Sequence, residues 1–295
     1  MMQSILLAAG FGTRLRPYTE HTPKPLFPVL NRPLLHILIE KLELAGCTSL
    51  IVNCHHLAEQ IVRAVDGYSS VTLQVEPEIL GTGGSLRQAL PVLADEPVLV
   101  MNGDVYHDID LGELYRYHQQ RQLGVTMALH RHKKFSHVIV DNGLVRGFTG
   151  KSLFPQMAYT GVQVVDPAVI ERIPADSFFH IIDLYRRIAE EEQIAAYDVS
   201  GCFWRDIGTP EDYLRLHRDL LTLQDSSWKK DRTARVGRGV RLKGWGCIGP
   251  GAVIGKGAVL ENVVVWEGAE TAANARICNS IITSRKDNEV LNDQN

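Results

Sequence analysis

The first 130 residues alternate short apolar runs with amphipathic helical segments, and few folds accept that order. "SILLAA" precedes "PLLHILIEKLELAG", in which Pro33 suits a helix start and Gly46 a stop. "SLIVNC", "LAEQIVRAV", "VTLQVE", "GSLRQALPVL", "PVLVMNGD" and "LGELYRYHQQ" follow in turn. The alternation predicts a doubly wound, mostly parallel α/β sheet with helices on both faces. Beyond it, "GVTMALH", "HVIVD" and "GLVRGF" read as strands joined by short turns, an antiparallel insertion. "SFFHIIDLYRRIAEEEQIAAYDV" reads as helix then strand, and "FWRDIGTPEDYLRLHRDLL" as strand, turn and closing helix, with Thr209 as N-cap and Pro210 at the first helical position.

The texture changes after residue 230. Every sixth residue from Val236 is apolar: Val236, Leu242, Ile248, Ile254, Leu260, Trp266, Ala272 and Cys278, with glycines recurring at 237, 249 and 255 and at 239, 251 and 257. A six-residue period predicts a parallel β-helix with coils of about 18 residues. The alternative is a Gly-rich hairpin tail. Residues 1–230 are expected to form one domain and 231–295 a second, packed on the first domain or on another subunit.

Charged residues make up 22% of the 295 positions and the net charge is −3. No field is spread over the surface to attract nucleic acid or anionic lipid, so any cationic site must be local. The five cysteines, Cys47, Cys54, Cys202, Cys247 and Cys278, form no C-x-x-C pair, which argues against a disulfide framework or zinc site and for a reducing compartment. "SILLAA" is too short for a signal sequence, and no stretch reaches the roughly 20 apolar residues of a membrane span. These features lead us to expect a soluble cytoplasmic protein with neither nucleic-acid nor membrane partners.

The segment "LLAAGFGTRLRPYTEHTPKPLFPV", residues 6–29, follows the first expected strand, where doubly wound sheets bind ligands. Gly10 and Gly12 allow a sharp turn and a close approach of backbone N–H groups to an anion. Arg14, Arg16 and Lys24 supply charge, and Pro23 and Pro25 restrict the backbone around the lysine. Leu15 stands where the third glycine of a dinucleotide-binding fingerprint belongs, and the G-x-x-x-x-G-K-[ST] pattern is absent. Bare amides and fixed cations suit a triphosphate. In "PVLVMNGDV" and "CFWRDIG", Asp104 and Asp206 end apolar strands, and two lone carboxylates completed by phosphate oxygens can hold Mg²⁺.

"LAAGFGTRLRPYTEHTPKPLFPV" closely resembles the signature of the sugar-1-phosphate nucleotidylyltransferases, G-x-G-T-R-L-x-P-x-T-x-x-x-P-K, and "LGTGGSLRQA", "VMNGDV", "AYTGVQVVD" and "FWRDIGTPEDY" continue the resemblance in family order. The resemblance implies a Rossmann-like nucleotidyltransferase domain followed by a short left-handed parallel β-helix, through which a homo-oligomer could assemble. It implies that a nucleoside triphosphate and a sugar 1-phosphate give a nucleotide sugar and pyrophosphate with Mg²⁺ held by Asp104 and Asp206. Arg14 and Lys24 would be catalytic. Ala8, Ala9, Gly10, Gly12, Thr13, Glu76, Gly81 and Thr82 would contact the nucleotide, and Lys151, Thr160 and Gly161 the sugar phosphate. Glu76 replaces the glutamine of several uridylyl-transferring relatives, and a carboxylate suits the donor edge of guanine, which favours guanylyl transfer to mannose 1-phosphate. The alternatives are uridylyl or thymidylyl transfer to glucose or N-acetylmuramate 1-phosphate, and a non-catalytic subunit that senses nucleotide sugars. Thr149 and Gly150 stand where many relatives place a sugar-binding glutamate. No histidine follows His217, so a second, acyl-transferring activity lacks its usual base.

Overall fold

A computed structural model describes residues 2–132, 135–148 and 153–284. They form two compact units: the first takes in the chain up to Gly10 with His36–Trp204, the second Phe11–Leu35 with the chain from Arg205 onward. No helix among the described residues is long and apolar enough to cross a membrane.

In the first unit, β1 (Met2–Leu7), β2 (Cys47–Cys54), β3 (Val71–Val75), β4 (Val98–Asn102), β5 (Val125–His130), β6 (Ser136–Asp141), β7 (Leu144–Phe148), β8 (Gln156–Val165) and β9 (Ile194–Asp198) form one sheet in the order β3-β2-β1-β4-β8-β5-β9-β7-β6. Helices α1 (Leu34–Leu44), α2 (Ala58–Val65), α3 (Gly81–Ala89), α4 (Leu111–Arg121) and α5 (Ile181–Glu190) separate the strands. Strands β1 to β4 pair in parallel, as do β5 and β9. β8 runs antiparallel to β4, β5 and β6, and β7 antiparallel to β6 and β9. The sheet is therefore mixed, which corrects the mostly parallel expectation. Parallel neighbours need a crossover, usually a helix, whereas the described chain between β5 and β8 contains only the β6–β7 hairpin.

Burial explains the elements. Ile5, Leu6 and Val98–Met101 are fully buried, as befits central strands covered on both faces. On α5, Ile181, Leu184, Tyr185, Ile188 and Ala189 form one buried stripe at helical spacing. Asp110 caps α4, its Oδ1 accepting from Glu113 N at 2.8 Å. The strand order reverses at β1, which has β2 on one side and β4 on the other, so the carboxyl ends of β1 and β4 open at a topological switch point. Leu7 pairs there with Asn102, and Gly103 N donates to Leu7 O at 2.7 Å.

In the second unit, α6 (Pro210–Leu223) begins as its sequence suggests, with Thr209 Oγ1 accepting from Asp212 N at 3.2 Å. After it come β10 (Trp228–Lys230), β11 (Arg235–Val236), β12 (Arg241–Ile248), β13 (Val253–Ile254), β14 (Val259–Val265), β15 (Glu270–Thr271) and β16 (Arg276–Ile282). All pair in parallel, in the orders β10-β12-β14-β16 and β11-β13-β15. The expected parallel strands are thus present. Arg235 pairs with Val253, 18 residues on, but Val253 with Glu270, only 17 on. That one-residue slip ends the six-residue phase: Ile248, Ile254, Leu260 and Trp266 are buried, whereas Ala272 and Cys278 are exposed and Ile281 and Ile282 lie inside instead. α6 packs against β12, β14 and β16, so the compact unit reaches back past residue 230, where the sequence texture changes.

Candidate active site

The signature segment lies mainly in the second unit. Gly12 adopts a left-handed conformation with φ +62°, and a Cβ there would stand 2.8 Å from the Thr19 methyl group, so only glycine fits. Thr19 Oγ1 donates back to Gly12 O at 3.0 Å. Lys24 opens a helical turn between Pro23 and Pro25 and is only 7% exposed. A buried ammonium needs an anion, and Asp206 Oδ1 lies 3.9 Å from its Nζ. At Gly208 an added Cβ would meet Asp206 Oδ2 at 2.5 Å and both terminal nitrogens of Arg14 at 3.0 Å. Arg14, Lys24 and Asp206, far apart in sequence, are therefore brought together.

The far end of the segment is clamped. His217 Nε2 accepts from Leu30 N at 3.3 Å, so the ring proton sits on Nδ1 and is donated to Tyr213 O at 3.0 Å. Burial lowers the His217 pKa to about 4 and keeps it neutral. The Tyr213 hydroxyl donates to Pro28 O and accepts from Trp266 Nε1 at 3.1 Å. Phe27 stands edge-on to Trp266, with ring centroids 4.8 Å apart.

The first unit carries the other residues. Ala8 and Ala9 are buried, while Gly10 is exposed and a Cβ there would meet no protein atom within 4 Å. Internal packing does not require glycine at that point, whereas close approach of a ligand to the backbone would. Ala8 N donates to Asn53 Oδ1 at 2.6 Å, and Asn53 Nδ2 donates to Glu76 Oε1 at 2.8 Å and Ser85 Oγ at 3.0 Å. Glu76, 2% exposed, also accepts from Gln74 Nε2 at 3.4 Å and, through Oε2, from Leu80 N at 3.3 Å. It therefore fixes the 77–80 loop whatever else it does. Sequence reasoning missed Asn53, which ties the Gly-rich segment to this loop. Its signal was a lone amide ending the apolar run "LIVN".

Three glycine-segment residues serve the protein's own packing. A Cβ on Gly81 would lie 2.8 Å from Phe179 O, and Thr82 Oγ1 accepts from Ile181 N at 3.3 Å. Gly161, at φ +81°, faces Asn102 so closely that a Cβ would lie 2.7 Å from its Nδ2. Thr160, expected at the sugar phosphate, is fully buried and its hydroxyl donates to Ala128 O at 2.8 Å. The hydroxyl is thus spent on β5, at the register shift in β8 that displays Gly161. Asp104 lies half-buried in the turn after β4, at the switch point. Lys151 lies outside the described residues, and Thr13 is exposed. Among the described residues no group of three or more His, Cys, Asp or Glu could hold a metal by itself. Asp104 and Asp206 each offer a hard carboxylate oxygen, the donor type that Mg²⁺ takes together with phosphate oxygens and water.

The family model described as "Nucleotidyl transferase" matches residues 3–222. The chain belongs to the nucleotidyl transferase family. It is 30% identical over 268 residues to the mannose-1-phosphate guanylyltransferase catalytic subunit beta of Drosophila pseudoobscura pseudoobscura, covering 86% of this chain and 71% of that one. It is also 30% identical over 274 residues to the mannose-1-phosphate guanyltransferase of Pichia angusta, covering 87% and 74%. The crystal structure of HddC from Yersinia pseudotuberculosis shares the fold at a TM-score of 0.64 and 23% identity, over 75% of this chain and all of that one. The resemblance read from the signature segment is borne out, and this nucleotidyltransferase is an enzyme by family.

Proposed function

We propose that this nucleotidyltransferase transfers a guanylyl group from GTP to mannose 1-phosphate, giving GDP-mannose and pyrophosphate. The observation that carries the reading is the convergence of Arg14, Lys24 and Asp206 on the signature segment. The names of the relatives favour guanine and mannose.

The bare backbone at Gly10 receives the phosphates, and Arg14 and Lys24 neutralise the triphosphate as charge moves onto the leaving pyrophosphate. Lys24 has little freedom to move, so it acts as a fixed charge rather than a mobile one. Asp104 and Asp206 would hold Mg²⁺, which supplies charge neutralisation to the reacting phosphates. Lys151 seats the sugar phosphate, and Gly161 leaves room against the sugar ring. Glu76, with Asn53, sets the loop that encloses the base. No covalent enzyme intermediate is needed, because the sugar phosphate oxygen attacks the α-phosphorus in line. We read the C-terminal strands as a short left-handed parallel β-helix, supported by their steps of 17 or 18 residues.

Pyrophosphate release, measured over a grid of nucleoside triphosphates and sugar 1-phosphates with Mg²⁺, tests the reading. The highest kcat/KM is expected for GTP with mannose 1-phosphate. Preference for UTP or dTTP with another sugar would replace the base and sugar while keeping the reaction.

A further inference from the structure

Residues 229–243 carry seven cations, Lys229, Lys230, Arg232, Arg235, Arg238, Arg241 and Lys243, against one carboxylate, Asp231, in a chain whose net charge is −3. All seven are exposed. No salt bridge among the described residues engages any of them, and Asp231 accepts from Thr233 N at 2.8 Å and Thr233 Oγ1 at 2.6 Å. This is the local cationic surface that the modest overall charge left room for.

The cations sit where the parallel strands end. Among the described residues, β10 and β11 are the outermost strands of their sheets and pair on one side. Among the described residues, Arg241–Lys243 pair with β14 alone, because β10 lies beside Gly246–Ile248. Lys229, Arg235 and Arg241 stand in register with Cys247, Val253 and Val259, so each is a cation facing an uncharged residue of the next coil. Val236 and Leu242, aligned with Ile254 and Leu260, remain 37% and 39% exposed. The edge thus combines open backbone hydrogen-bonding groups, two uncovered apolar side chains and a net charge of +6 from seven cations and one carboxylate.

We infer that this end of the strands binds an extended acidic segment of a partner polypeptide, added as a further parallel strand beside one of the two sheets while its remaining carboxylates meet the cations of the other. One or two lysines suffice to discourage strand addition, and seven cations exceed that need. Lipid headgroups or a nucleic-acid backbone would answer the charge but leave the sheet edge unpaired. A second copy of the same edge would pair the backbone but bring seven more cations against these. An acidic strand answers both, with backbone bonds giving affinity and alternate carboxylates giving specificity. The surface is separate from the residues assigned to nucleotidyl transfer, so the inference stands whichever base and sugar the enzyme uses.

The test uses the full chain and a fluorescent peptide of about twelve residues alternating Glu and Val, followed by anisotropy at low and high salt. Binding that weakens with salt is expected. The triple variant R235E/R238E/R241E should bind about tenfold more weakly or worse, with its turnover and melting temperature unchanged. On the wild-type protein, the same peptide N-methylated at alternate backbone nitrogens should also bind weakly, since it cannot complete the ladder. Equal binding of the N-methylated peptide, equal binding by the triple variant, or no peptide binding would overturn the proposal. So would binding of phosphatidylserine vesicles or a single-stranded oligonucleotide in preference to the peptide.

Discussion

At the scale of single residues, Asp104 and Asp206 carry the same proposed duty in different surroundings. Asp104→Ala and Asp206→Ala should both abolish turnover at saturating Mg²⁺, because each removes a metal carboxylate. Only the second leaves the 7%-exposed Lys24 without that anion, so Asp206→Ala should also lose about 1 to 3 kcal/mol of stability. Denaturation and turnover of the two variants, measured side by side, check both halves; full activity in either sinks its metal role. Glu76 offers a second contrast. Its oxygens already accept from Asn53, Gln74 and Leu80, so Glu76→Gln must turn an amide donor towards one of these donors or towards the base. If Glu76 also reads guanine, the ratio of kcat/KM for GTP to that for UTP should fall at least tenfold in the variant. An unchanged ratio with a lowered melting temperature would leave Glu76 a loop-setting residue only.

At the scale of elements, α6 is tied to the end of the signature segment by a histidine that must stay neutral. The folded pKa of His217 is lowered to about 4 from 6.5, and that of His107, buried beside β4, to about 3. Between those values and 6.5 the unfolded chain binds protons that the folded chain does not. Stability should therefore rise with pH through this window and fall as the solution is acidified, by at most about 1.4 kcal/mol per pH unit per group. Urea denaturation from pH 4 to 7 measures it, and His217→Gln should flatten the slope. An identical slope in the variant would show that His217 is not the titrating group. Much at this scale was legible in advance: the cap at Thr209 and the strand–helix alternation through α4. The direction of β8 was not, because a hairpin and a crossover are distinguished by long-range pairing rather than by the pattern within the strand.

At the scale of the whole molecule, the C-terminal strands are part of the unit that holds the signature segment. Trp266 links them: it packs on Phe27 and donates to the Tyr213 hydroxyl, which in turn holds Pro28. Trp266→Ala should cost about 3 to 5 kcal/mol of stability and, by loosening residues 27–30, lower kcat as well. Calorimetry and steady-state kinetics of this variant report the two effects, and wild-type turnover would show that the segment holds its shape without the clamp. A six-residue period alone suggested an appendage beginning near residue 231. It carried no sign that residues 11–35 and α6 would join the same unit.

The sequence by itself determined the local features: the strands and helices, the helix caps, the Gly-rich segment with its proline-fenced lysine, and the two aspartates at strand ends. Each depends on interactions within a few residues, which periodicity and residue type record directly. Only the tertiary structure decided which side of the central sheet β8 would take, that Thr160 would spend its hydroxyl on Ala128, and that Asn53 would join Ala8 to Glu76. It alone brought Asp206 to Arg14 and Lys24. Such contacts close long loops of chain and are chosen by the summed packing of many side chains, so no single stretch of sequence contains them.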